Sequence, residues 1–138
     1  MATPTFVTHV LLVDDDPDDC RFFEEALAAV APQVSLRSLP EGDGLLEEVE
    51  EWRPSLIVMD YNLPRENGIE LLALLQAHPV FRAIPVVMWS TGHLPAIVAA
   101  AYAAGIRYFF AKPWKLEVLQ EQLSVLPGLI YSPATYTC

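Results

Sequence analysis

Basic residues are scarce in this chain: eight Lys and Arg stand against eighteen Asp and Glu, a formal charge of -10. Such a surface repels phosphate backbones and anionic lipid, so neither nucleic acid nor a membrane is expected as a direct partner. Long apolar runs are lacking as well. Although 53% of the 138 residues are hydrophobic, no stretch of eighteen is apolar, and the expectation is a soluble globular domain. The start, Met1 to His9, has neither the basic stretch nor the apolar core of a secretory signal, which points to the cytoplasm. Cysteine is limited to Cys20 and Cys138, far apart and without metal-ligand spacing, so free thiols are expected.

The length suits one domain able to bury its own core. Short apolar runs alternate with helical stretches five times, the pattern of an α/β parallel sheet with helices on both faces. The strand candidates are Val10–Val13, Val34–Leu39, Leu56–Met59, Val86–Trp89 and Arg107–Phe110. Only the second alternates with polar residues, which suits an edge. The third helix is expected from about Gly68 to Ala77, and the fourth from Pro95 to the helix-ending Gly105. The fifth carries Leu116, Leu119 and Leu123 and stops at Leu126-Pro127-Gly128. Residues 1–126 therefore form the domain, and 127–138 are a tail too short for an output domain.

Two acidic clusters need separate explanations. Glu47, Glu48, Glu50 and Glu51 alternate with Leu46, Val49 and Trp52 and read as the solvated face of the second helix. In the other cluster, Asp16 before Pro17 reads as an N-cap, with Asp18 and Asp19 in the first turn where the helix dipole favours acids. In the helix that follows, Cys20, Phe23, Leu27 and Val30 define a buried stripe. Asp14 and Asp15 stay unexplained by helix chemistry. They close the first strand as Asp60 closes the third, and an unpaired buried charge costs several kcal/mol.

The carboxyl ends of the central strands in an open α/β sheet converge on one ligand-binding edge. That edge carries Asp14 and Asp15, Asp60, Ser90 and Lys112. Hard oxygen ligands in twos and threes suit Mg²⁺, commonly held by one or two carboxylates together with a phosphate. Lys112 and Ser90 supply a cation and a hydroxyl for phosphoryl oxygens. Asp60 needs no general base to act as a nucleophile, because a carboxylate is already ionised near neutral pH. The product would be an aspartyl phosphate on Asp60.

Four motifs stand in order: Leu11-Leu12-Val13-Asp14-Asp15-Asp16, Val58-Met59-Asp60-Tyr61-Asn62-Leu63-Pro64, Val86-Val87-Met88-Trp89-Ser90 and Phe109-Phe110-Ala111-Lys112-Pro113. Their order and spacing resemble the receiver domain of two-component response regulators, over roughly Val10 to Leu126. The resemblance implies a flavodoxin-like doubly wound sheet with strand order 2-1-3-4-5. It implies Mg²⁺ on Asp14, Asp15 and Asp60 with the backbone carbonyl of Asn62, and phosphoryl transfer to Asp60 from a sensor histidine kinase or histidine phosphotransfer protein. Ser90 becomes the switch hydroxyl, Phe109 either a switch aromatic or plain core, and Lys112-Pro113 a candidate cis peptide. Thr91, where the family generally has a smaller residue, and Asn67-Gly68, in place of the commoner Asp-Gly, depart from the pattern without removing a required group.

A chain of this kind is a phosphoacceptor and not an enzyme, with at most weak self-phosphorylation and self-dephosphorylation, and it acts on a downstream protein target through contacts. The uncharged, alanine-rich stretch Leu94 to Gly105 is either simply exposed or, with the fifth strand and fifth helix, a homodimer or partner face beside which Leu129-Ile130-Tyr131 docks. Arg21, Phe22 and Glu25 on the first helix are candidate kinase-specificity residues. Two other readings compete: a haloacid-dehalogenase-like phosphatase using Asp14 as its nucleophile, and a receiver-like scaffold that is never phosphorylated.

Overall fold

Five parallel strands pair in register to give one sheet of order β2-β1-β3-β4-β5 in the computed structural model, which describes residues 8–126. The strands are β1 (His9–Val13), β2 (Ser35–Leu39), β3 (Leu56–Met59), β4 (Val86–Ser90) and β5 (Tyr108–Ala111). The helices are α1 (Pro17–Val30), α2 (Leu45–Trp52), α3 (Gly68–Gln76), α4 (Pro95–Ala104) and α5 (Leu116–Ser124). The expected order and edge are both present, with each strand within a residue or so of its expected bounds. No helix among the described residues is long and apolar enough to cross a membrane.

Because alternate side chains of a strand point to opposite faces, one sheet builds two cores. Leu11, Val13, Ile57, Met59 and Met88 meet α2, α3 and Ala101 of α4 on one face. Val10, Leu12, Val58, Val87 and Trp89 meet Phe23 and Leu27 of α1 and Leu119 and Leu123 of α5 on the other. Strand β3 and, from Val10 on, strand β1 are buried, which explains their apolar runs, whereas β2 at the edge is largely exposed.

Two glycines have a steric reason. Gly105 closes α4 at φ 113°, a left-handed conformation that side chains resist. At Gly68 a Cβ would stand 2.6 Å from the Asp60 carbonyl oxygen, and its N–H donates to the Tyr61 carbonyl at 2.8 Å. The loop leaving Asp60 therefore returns tightly to α3, whose start is fixed by a reciprocal capping box between Asn67 and Glu70.

Three expectations are corrected. Val30 is 40% exposed rather than part of the buried stripe. The buried residues of α1 are Phe23, Ala26 and Leu27, so Ala26 rather than Val30 completes the stripe. Cys20 is half-buried at the margin of the core instead of within it. None of the described peptide bonds is cis, so Lys112–Pro113 is trans. Proline lowers the cost of cis without imposing it, and trans keeps an intrinsic advantage of about 0.5–1 kcal/mol. The tail from 127, with Leu129-Ile130-Tyr131, lies outside the described residues.

Candidate functional site

Among the described residues, the buried polar or charged residues are Asp14, Asp60 and Ser90, the residues expected at the strand ends. The sheet itself carries them there. Asp60 N–H donates to the Val13 carbonyl at 2.9 Å and Asp14 N–H to the Leu39 carbonyl at 3.0 Å, so the hydrogen-bond ladder continues past the last strand residues. Lys112 N–H likewise donates to the Ser90 carbonyl at 3.0 Å.

The Lys112 ammonium is the centre of the cluster. Its Nζ lies 2.7 Å from Asp14 Oδ2, 2.7 Å from Asp19 Oδ2 and 2.8 Å from Asp60 Oδ2, with its side chain only 6% exposed. The Trp89 ring centre is 4.9 Å away, close enough for a cation–π contact. Burial alone would pull the lysine pKa down, but hydrogen bonds and charge from Asp14, Asp19 and Asp60 outweigh it and hold the group above the ordinary lysine value. Burial has the upper hand at Asp14, raising its carboxyl above 3.8 even though Lys112 and the Asp16 N–H pull it down. Burial also pushes up the Cys20 thiol, which donates to the Asp14 carbonyl at 3.6 Å.

The other carboxylate oxygens are held by main chain: Asp16 N–H donates to Asp14 Oδ1 at 2.9 Å, and Asn62 N–H to Asp60 Oδ1 at 3.2 Å. Asp16 turns away to cap α1, accepting from the N–H groups of Asp18 and Asp19 as expected. That removes the second acid a phosphatase of the haloacid-dehalogenase type would place beside Asp14. Asp15 is exposed, yet one oxygen from each of Asp14, Asp15 and Asp60 fits within 4.8 Å of the others, a donor set for a hard divalent cation. Ser90 Oγ is buried without a hydrogen-bond partner. Phe109 is half-buried against the α3–α4 core, its N–H donating to the Tyr102 hydroxyl at 3.0 Å. His93 is exposed, its Nδ1 3.1 Å from the Thr91 carbonyl oxygen.

Asp19 corrects its assignment as a first-turn acid alone. Its signal was in the register: Asp19, Phe23 and Leu27 are four apart, so a carboxylate sits on the stripe that α1 turns to the sheet. Trp89 was also missed, since a tryptophan inside an apolar strand announces packing and not the company of a lysine.

Fold and sequence pattern together bring three carboxylates, an ammonium and a hydroxyl to the strand ends, and comparison with known proteins gives the family. A model of the response regulator receiver domain matches residues 10–124. The chain belongs to the response regulator receiver domain family of two-component systems, signalling proteins that accept a phosphoryl group. It is 32% identical over 117 residues to response regulator Rcp1 of Synechocystis sp., covering 80% of each chain. Chemotaxis protein CheY1 of Helicobacter pylori is 28% identical over 126 residues, covering 86% of this chain and 96% of its own. Among solved structures, the phosphorylated cyanobacterial phytochrome response regulator RcpA matches with a TM-score of 0.78 at 26% identity, over 88% of this chain and 91% of its own. The Mn²⁺-bound form of Rcp1 matches with a TM-score of 0.73 at 28% identity, over 95% and 96%.

Proposed function

We propose that Asp60 accepts a phosphoryl group from a phosphohistidine of a sensor kinase or histidine phosphotransfer protein, with Mg²⁺ held by Asp14, Asp15, Asp60 and the Asn62 carbonyl. The observation that carries this reading is a buried Asp60 carboxylate sharing one buried ammonium with two other acids. Three acids around one lysine, with Asp15 beside two of them, leave the cluster short of positive charge, and an anion could approach only with a cation's help. Mg²⁺ would offset the carboxylate crowding and the charge on the transferring phosphoryl oxygens. The Mn²⁺-bound form of Rcp1 and the phosphorylated form of RcpA support both halves of the proposal.

The chain's own residues have separable tasks. An Asp60 oxygen forms the new P–O bond as the P–N bond breaks, and the histidine nitrogen leaves with the electron pair as neutral imidazole when its other nitrogen is protonated. Lys112 turns from Asp14 and Asp60 to phosphoryl oxygens. Ser90, its hydroxyl uncommitted in the ground state, turns to another, and Phe109 follows inward, drawing the main chain of β5 and the Tyr102 hydroxyl with it. The surface that reads this change is formed by α4, β5 and α5, where Tyr102, Tyr108 and Val118 are exposed. A homodimer or a downstream protein would bind there, and Arg21, Phe22 and Glu25 would select the kinase.

Peptide mapping after incubation with Mg²⁺ and a small phosphodonor tests the acceptor. An acid-stable, alkali-labile label in the Asp60 peptide is expected; the same label on the Asp14 peptide would overturn the assignment.

A further inference from the structure

Lys112 is bound by one carboxylate more than the phosphoryl chemistry requires. An ammonium has three donors; it donates to Asp19 Oδ2 at 2.7 Å and to Asp60 Oδ2 at 2.8 Å, and stands in an ion pair 2.7 Å from Asp14 Oδ2, which accepts no aligned hydrogen bond. Asp14 and Asp60 belong with Asp15 to the set suited to a cation; Asp19 is not among them. Its footing also differs. Asp14 and Asp60 follow strand ends, whereas Asp19 lies in the first turn of α1, a turn capped by Asp16 and opened by Pro17. One turn on, Phe23 is buried edge-on against Trp89, the ring beside the ammonium, which fixes the rotation of the helix over the sheet.

We propose that Asp19 is a positioning residue for Lys112, keeping its ammonium at the site once Asp14 and Asp60 have turned to a divalent cation and a phosphoryl group. The inference rests on the phosphoacceptor reading and deepens it. An ammonium that loses two of its three anions and stands beside a dication is driven outward by like charge, and partial burial strengthens that repulsion. Asp19 remains as its uncommitted counter-charge, on a rigid helix, while the other N–H donors are free for phosphoryl oxygens. The effect is conditional. In the metal-free protein Asp14 and Asp60 hold Lys112 with or without Asp19.

The test compares the wild type with Asp19→Asn and Asp19→Ala, and with Asp18→Asn as a control, since Asp18 lies exposed in the same turn and pairs with Arg21. The NMR signal of the Lys112 ammonium, assigned by its loss in Lys112→Arg, is followed with and without Mg²⁺, and the initial phosphorylation rate is read by intact mass. The wild type and Asp18→Asn should keep a slowly exchanging ammonium signal in both conditions. The two Asp19 variants should keep it without metal, lose it in saturating Mg²⁺, and accept phosphoryl groups about tenfold more slowly. Retention of the signal in the Mg²⁺-loaded variants, with rates within about twofold of the wild type, would overturn the proposal. So would its loss from the Mg²⁺-loaded wild type. A wild type that takes no phosphoryl group would sink the phosphoacceptor reading instead, while the lysine signal would still decide the role of Asp19.

Discussion

Ser90 and Asp14 carry opposite kinds of ground-state cost, and each cost has a measurable sign. The buried Ser90 hydroxyl makes no hydrogen bond, so Ser90→Ala should unfold in urea at the same midpoint or a higher one, within about 1 kcal/mol. The same variant should lose the response of Phe109 to phosphorylation; a destabilised Ser90→Ala would show that the hydroxyl is bonded after all. Asp14 has its pKa raised on folding by burial, so the native state holds the proton more tightly than the unfolded chain. Its contribution to stability is complete below the unfolded value near 3.8 and is lost as pH rises through the raised native value. At neutral pH the charge is a net cost, and Asp14→Asn should be more stable than the wild type in metal-free urea titrations, with the difference vanishing in acid. These residues were legible because a carboxylate or hydroxyl closing an apolar strand has no packing role. Asp19 escaped notice for the opposite reason: the helix dipole accounted for it, and only its register with Phe23 and Leu27 marked it as facing the sheet.

At the scale of the element, the site depends on how tightly the loop after β3 returns to α3. A Cβ at Gly68 would meet the Asp60 carbonyl oxygen at 2.6 Å and Met88 Cε at 3.0 Å, and main chain gives way less readily than a methyl. Gly68→Ala should cost about 1–3 kcal/mol in urea unfolding and slow phosphorylation by displacing Asp60. An unaltered rate would mean that the loop does not set the position of the acid. The strands were readable because burial on both faces leaves a continuous apolar run, and the edge because only β2 alternates. What escaped was geometry that depends on packing or on a free choice. Val30 is left half-exposed while Ala26 fills the stripe, and Lys112–Pro113 takes the isomer that proline allows but does not dictate.

For the whole molecule, one ammonium serving three carboxylates is an incomplete neutralisation that a divalent cation would finish. Mg²⁺ at 100 times its dissociation constant should add about 2.7 kcal/mol to the stability of the wild type, and Asp14→Asn should lose most of that gain. Wild-type midpoints that ignore Mg²⁺ would remove the metal from the account. Association through the α4–β5–α5 surface should cover the exposed Tyr102, Tyr108 and Val118, giving a concentration-dependent mass in light scattering when a phosphoryl mimic is added. A strict monomer in both states would restrict the face to other partners. The central claim, that Asp60 is the phosphoryl acceptor, is tested most directly by the intact mass of the protein after incubation with Mg²⁺ and a small phosphodonor. One added phosphoryl group is expected on the wild type and none on Asp60→Asn; no addition to the wild type, or an equal addition to Asp60→Asn, would contradict it.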